Sequence, residues 1–308
     1  MALKHAGYIE LPQHVKRGGF DHAAVHRGMG RLYLAHTVND AIDVVDCRTH
    51  QYLHSIPHLT GVAGALVSEE QDLVFTSNRG EDTVGIFSPA HENKLVKVAV
   101  GTHPNGLAYD PARSLLLAAN IGDPAIPGSF TISLVDVEKR ALIADVPVPG
   151  RTRWAVFDAE TEVFYVNIAH PPQIVAIESK SPGQVARAFP IPVAGPHGLD
   201  LDTGTRRLYC ACDGKQLVSV GSQSGDILSQ LETSGVPDVV FFNPGLKRLY
   251  VAIGDPGVIE VFETETMRRL ETVPTERGAH TIAFDPDHNT VYAFLPESHR
   301  AAVYLDKE

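Results

Sequence analysis

Cysteine is scarce in this chain. Only Cys47, Cys210 and Cys212 occur among 308 residues, and the i, i+2 spacing of the last two puts both thiols on one face of a strand, without disulfide geometry. A disulfide-stapled scaffold is therefore excluded, and a reducing, cytoplasmic setting is expected. Long apolar runs are also missing. Nothing approaches the roughly eighteen consecutive apolar residues of a membrane span, and the opening Met1-Ala-Leu-Lys-His-Ala-Gly-Tyr-Ile-Glu10 has no secretory core, so no membrane partner is expected. Positive charge is in deficit, with 26 Lys and Arg against 37 Asp and Glu and a net charge of −11. Without a basic run or stripe a phosphate backbone has nothing to bind, which excludes nucleic acid as a partner. A G-x-S-x-G motif is absent, so covalent serine catalysis has no support.

What the chain does contain is a repeat and an excess of histidine, 15 residues in all. An apolar strand, a polar turn and a second strand with a large anchor recur seven times, the anchors being Tyr33, Phe75, Leu117, Tyr165, Tyr209, Tyr250 and Tyr292. Successive anchors are 42, 42, 48, 44, 41 and 42 residues apart, the period of a four-stranded propeller blade. The long interval is accounted for by Ile121-Gly-Asp-Pro-Ala-Ile-Pro-Gly128, whose glycines and prolines mark an enlarged loop. Period-two segments such as Ala41–Val45, Thr83–Phe87 and Val258–Phe262 read as third strands, and Lys97–Val100 and Phe189–Val193 as fourth strands. The last unit stops at its third strand, Ala301–Leu305, whereas Gly7–Pro12 precedes the first unit and has fourth-strand character. The expected fold is therefore all-β: a seven-bladed β-propeller of four-stranded antiparallel blades, closed by the N-terminal strand so that no sheet edge is left open. The repeat occupies residues 1–308 as one domain.

Twelve residues before the anchors lie Asp21, Ala63, Asn105, Arg153, His197, Asp238 and His280. In a propeller the first strand of every blade lines the axis, so these positions form a ring around the central channel. Six of the seven are polar, and an unpartnered buried polar group costs about 1–3 kcal/mol. Blades five, six, seven and one bring His197, Asp238, His280 and Asp21 side by side. Two imidazoles and two carboxylates suit a divalent first-row transition ion, Zn, Mn, Fe or Ni, better than calcium, which takes oxygen ligands. Whichever of Asp21 and Asp238 is not a ligand could act as general base. Opposite, Arg153 and Asn105 could hold a small polar or anionic substrate, and Arg153 joins the candidate catalytic set. His36, Asn78 and Asn120 share one register at the ends of second strands and are expected to add a polar rim, with Trp154, His22, His103 and His170 nearby. Each reading has a structural alternative: hydrogen bonds to a neighbouring blade for the histidines, turn caps for the aspartates and Asn105, and a cross-channel ion pair for Arg153. His5, His14, His50, His54, His58, His91, His288 and His299 read as solvated surface, and Asp200 as support for His197.

The phrases Arg207-Leu-Tyr, Arg248-Leu-Tyr-Val-Ala252, Leu115-Leu-Leu-Ala-Ala-Asn120 and His103-Pro-Asn-Gly-Leu-Ala-Tyr-Asp-Pro111 resemble the YVTN-type repeat over nearly the whole chain. Gly195-Pro-His-Gly-Leu199 and Gly278-Ala-His-Thr-Ile282 are similar to the channel segments of propeller lyases, virginiamycin B lyase and peptidyl-hydroxyglycine amidating lyase. That resemblance implies metal-binding roles for His197 and His280, although no third histidine falls in the register and neither lyase's general base has a counterpart. Two functions are expected: a metal-dependent enzyme with its site at the channel mouth, acting as a hydrolase of a small lactone or ester by analogy with gluconolactonase-like propellers, or as a lyase; and a non-catalytic propeller that binds a protein or small ligand.

Overall fold

Period-two patterning and turn-forming residues between strands leave almost no helix in the computed structural model, which describes residues 2–307. Its strands form seven four-stranded antiparallel sheets, each built from consecutive segments except the last. There, strand β1 (Leu3–Glu10) pairs with β28 (Arg300–Asp306) and completes the sheet of β26 (Ile282–Asp285) and β27 (Thr290–Leu295). Leu3 and Ile9 of β1 are buried, and Glu271 of the neighbouring blade accepts hydrogen bonds from the Ala2 and Leu3 amides at 2.6 and 3.1 Å. The expected seven-bladed, N-terminally closed architecture is thus present.

All seven anchors are fully buried. They sit in apolar clusters spanning adjacent blades, such as that of Tyr250, Ala252, Ile259, Ile282, Val291 and Ala302. The core is consequently a wheel of inter-blade layers, and the axis is left to the first strands.

Those strands are Ala23–His26, Val62–Ser68, Pro104–Asp110, Thr152–Asp158, Pro196–Asp202, Pro237–Asn243 and Ile282–Asp285. In blades two to six each pairs with its second strand through a register shift, at Val62/Gly64, Pro104/Leu107, Thr152/Ala155, Pro196/Leu199 and Pro237/Val240. A bulge turns a side chain out of strict alternation. Asn105, Arg153, His197 and Asp238 all lie within such shifts, whereas Asp21 and His280 lie just ahead of their strands. Glycine follows the ring position in three blades. A Cβ on Gly106 would overlap the Arg153 carbonyl oxygen, and one on Gly198 the Asp238 carbonyl oxygen, so glycine here lets adjacent first strands approach.

Candidate functional site at the channel mouth

Side chains reach the mouth from two kinds of place: the bulged start of the first strand or the residues just ahead of it, and, in blades two and five, the turn immediately after the second strand. The first supplies the expected ring. From the second come Arg79 and Asp213, one residue beyond Asn78 and Cys212.

His197 is the hub. Its Nδ1 lies 2.9 Å from Asp213 Oδ1 and its Nε2 lies 3.0 Å from Asp238 Oδ1. Arg153 Nη1 also stands 3.0 Å from Nε2, and Nη2 reaches Asp213 Oδ2 at 3.3 Å. A guanidinium only donates and a carboxylate only accepts, so Nε2 answers Arg153 when it bears a lone pair and Asp238 when it bears a proton. The backbone beneath is pinned by Asn167 of the adjacent blade, whose Nδ2 donates to the His197 and Gly198 carbonyls at 2.9 and 3.0 Å.

Asp238 also faces the second imidazole, with His280 Nε2 4.0 Å from Oδ2. His280 Nδ1 meets the Gly278 carbonyl at 2.8 Å. A carbonyl only accepts, so Nδ1 carries the hydrogen and the neutral ring presents its lone pair on Nε2. Burial opposes protonation of His280, but Asp238, the Gly278 carbonyl and Asp21 outweigh it and raise its pKa above the usual value. His280 is also the more accessible imidazole, its side chain 41% exposed against 15% for His197.

Across the mouth, Asp21 is taken up by Arg79 at 3.1 Å and by His22 Nε2 at 3.2 Å, and Arg79 donates to Asn105 Oδ1 as well. Arg151 completes a group of three arginines. It keeps an exposed surface and has no carboxylate within salt-bridge reach among the described residues, while the surrounding protein and the like charges of Arg153 and Arg79 lower its pKa. Asp213 is shifted down: burial works against its ionisation, but His197, Arg153 and Arg151 prevail.

The floor is aromatic. His22 and Trp154, one residue below Asp21 and Arg153, meet across the axis with ring centroids 4.0 Å apart, and Phe241 packs edge-on against Trp154 at 6.2 Å. Burial holds the His22 pKa down, so the ring is a neutral part of this plug.

The ring expected from the register is therefore assembled only in part. His197, Asp238 and His280 meet, with Arg153 on His197, but Asp21 belongs to the Arg79–His22 pair. The side chains as they stand do not fit the expected metal tetrad. Among the described residues no three His, Cys, Asp or Glu side chains converge on a point suited to a metal ion, and the Arg153 guanidinium occupies the approach to His197 Nε2. The expected polar rim needs correction. His36, Asn78 and Asn120 are the last residues of their strands and point into the blades, with no exposed surface. His36 Nδ1 pairs with Asp43 at 2.7 Å, Asn78 bonds Thr76 and Thr83, and Asn120 Nδ2 bonds Thr131 and Ser133. Trp154 forms the floor. His103 holds the Gly122 carbonyl, and His170 is exposed in its loop. His14 and His299 are packed against each other rather than free in solvent, and His14 also contacts Phe20 and His36. Arg79, Arg151 and Asp213 were not anticipated; their signal is a charged residue in the turn positions flanking the strands at the mouth.

No helix among the described residues is long and apolar enough to cross a membrane. No family model matches the chain, and no curated protein matches it. In structure it is similar to a chain of Kuenenia stuttgartiensis hydrazine synthase, with a TM-score of 0.83, 14% identity and coverage of 96% of this chain and 98% of that one. It is equally similar to a chain of a mitotic checkpoint complex, with a TM-score of 0.83, 10% identity and coverage of 99% and 92%. At such identities the likeness shows the propeller fold alone.

Proposed function

We propose that the channel mouth binds a small anionic molecule and hydrolyses a lactone or ester within it by general acid–base chemistry. The observation that carries this reading is the division of the mouth: an accessible imidazole with a fixed tautomer, backed by Asp238, stands across from three crowded guanidiniums. Arg79 and Arg153 are already paired with Asp21 and Asp213, whereas Arg151 has no carboxylate within salt-bridge distance among the described residues and feels Asp213 only at longer range, so it is the guanidinium left for an anion.

Each group then has a role. Arg151, Arg79 and Arg153 hold the substrate's anionic group and face the carbonyl oxygen as negative charge develops on it. Neutral His280 takes a proton from water at Nε2 as the water oxygen bonds to the carbonyl carbon. The resulting imidazolium is stabilised by Asp238 and Asp21. When the tetrahedral intermediate collapses, the C–O bond to the leaving alkoxide breaks and His280 returns the proton to that oxygen. His197, held between Asp213 and Asp238, positions Asp238 and transfers no proton in this scheme. A first-row metal would require Arg153 to leave His197, and none of these steps uses one.

The alternative, a scaffold for a protein partner, finds less support. Most of the large exposed apolar side chains, among them Leu53, Leu142, Leu228 and Leu270, sit on the outer strands of different blades, and Val15, Ile126 and Val236 lie in three separate loops around the ring.

The test is proton release from carboxylated γ-lactones and aryl esters by chelator-treated protein. Turnover is expected in the wild type, reduced about 10²-fold or more in His280→Gln and weakened mainly in KM in Arg151→Ala. The hydrolase reading fails if no member of the series is turned over, or if His280→Gln is as active as the wild type; activity lost with the chelator and restored by a first-row ion would return the metal.

A further inference from the structure

Below the His22–Trp154–Phe241 floor the channel opens again, toward the opposite face, as a cavity of about 710 Å³. That is the size of a small-molecule site. Its walls come from the first strands of all seven blades and are mostly apolar, with aromatic surface from Tyr109, Trp154, Phe157, Phe241 and Phe284. Arg27, Glu69 and Glu70 line its outer end. Between that rim and the floor, Asp200 is the one charged side chain among the lining residues.

Asp200 is not neutralised by a partner. Oδ1 accepts only the Leu201 amide, at 2.8 Å, and Oδ2 only the Phe242 amide, at 2.7 Å. These two bonds fix the carboxylate across the seam between blades five and six, and leave lone pairs on both oxygens for a third party. No Lys, Arg or His lies within salt-bridge distance of it among the described residues.

We infer that this lower chamber is a second binding site, distinct from the mouth, for a small aromatic or aliphatic amine whose apolar body lies against the aromatic walls and whose ammonium meets Asp200. Three features select a cation. A carboxylate stands alone in an apolar chamber, where opposite charge is attracted more strongly than in water. The aromatic walls offer faces that attract ammonium groups. The outer rim carries two glutamates against one arginine, and that arginine already approaches Glu69 at 3.6 Å, in a protein of net charge −11. Burial holds the Asp200 carboxyl up, at about 6, against the pull of its two amide donors, as expected of a carboxylate lacking a cation.

Trp154 is the only tryptophan of the chain and lines the chamber, so its fluorescence reports directly on occupancy. The experiment titrates the full-length protein at pH 7.5 with 2-phenylethylamine, 2-phenylethanol and 3-phenylpropionate, exciting tryptophan selectively. A saturable one-site response to the amine is expected, at least tenfold tighter than to the alcohol and weaker still for the carboxylate. Asp200→Asn should weaken amine binding about tenfold while leaving the alcohol unchanged, and Ala24→Phe, placed on the chamber wall, should abolish both. Arg151→Ala, at the mouth, should alter neither. The inference is overturned if the amine gives no saturable response, if the alcohol or carboxylate binds as tightly, or if Arg151→Ala and not Ala24→Phe removes binding. The comparison of three ligands on the wild type decides the matter even if a variant does not fold.

Discussion

Two histidines at one register of the ring have become different chemical objects through their neighbours. His197 has both nitrogens engaged and is largely enclosed; His280 has one nitrogen committed to a carbonyl and the other toward solvent and Asp238. Only the second can exchange a proton with a bound molecule without breaking an existing bond. The protonated form of His280 is favoured in the folded protein, so its contribution to stability is present below the ordinary histidine pKa and is lost as pH rises through the raised value. A base is active when deprotonated, so the activity should rise with pH through that same raised pKa. Replacing Asp238 by Asn removes the nearest carboxylate and should move the acidic limb of the kcat profile toward lower pH. An unmoved limb in Asp238→Asn, measured beside the wild type, would show that a different group titrates.

At the scale of the strand, the ring depends on how closely successive first strands run. Gly198 marks the limit: an added Cβ overlaps the Asp238 carbonyl, so the next strand has to move outward, and Asp238 with it. Gly198→Ala is expected to cost about 1–3 kcal/mol and to lower activity. Gly183→Ala, where an added Cβ meets nothing within 4 Å, should stay within about 0.5 kcal/mol; equal denaturation midpoints for the two would remove the close-approach explanation. The same scale explains what could be read from the residues alone. Anchors such as Tyr209 and Tyr250 were legible because strand alternation carries a large side chain to the same inter-blade layer in every unit. Alternation ends where the strand does, however. Asn78 and Cys212 point into their blades as the pattern requires, and the next residues, Arg79 and Asp213, leave the pattern in a turn and reach the mouth. The bulges that aim Arg153, His197 and Asp238 at the axis leave no trace in an apolar–polar pattern, so the register brought His197, Asp238 and His280 together but misplaced Asp21 and gave no account of which atoms bond. That Asp21 pairs with Arg79 rather than with the imidazoles follows from the turn residue that the pattern could not place.

For the molecule as a whole, the site is a property of closure. Asp21 belongs to the first blade and His280 to the last, and they lie within electrostatic reach of each other only because β1 completes the sheet of β26–β28. Removing β1 would uncover the edge of β28, an open template for another chain, and would strip away the buried Leu3 and Ile9. Two buried aliphatic side chains correspond to about 3–6 kcal/mol, and in a chain of this size each kcal/mol moves the midpoint by roughly 2–4 °C. A variant lacking residues 2–10 should therefore melt about 6–24 °C lower and associate through its exposed edge, which size-exclusion chromatography coupled to light scattering would register. Its mouth chemistry should fall with the loss of closure, because the His280 loop and the Asp21 loop are no longer held by one ring. The lower chamber samples a different part of the same closure. Asp200 and Trp154 belong to blades five and four, away from the seam, but Ala24 of the first blade and Phe284 of the last also line the chamber, so amine binding should be weakened, though less than hydrolysis, in the fraction that stays monomeric. If both activities disappeared together in that monomeric fraction, the mouth and the chamber would have to be treated as one cooperative unit rather than two sites sharing an axis.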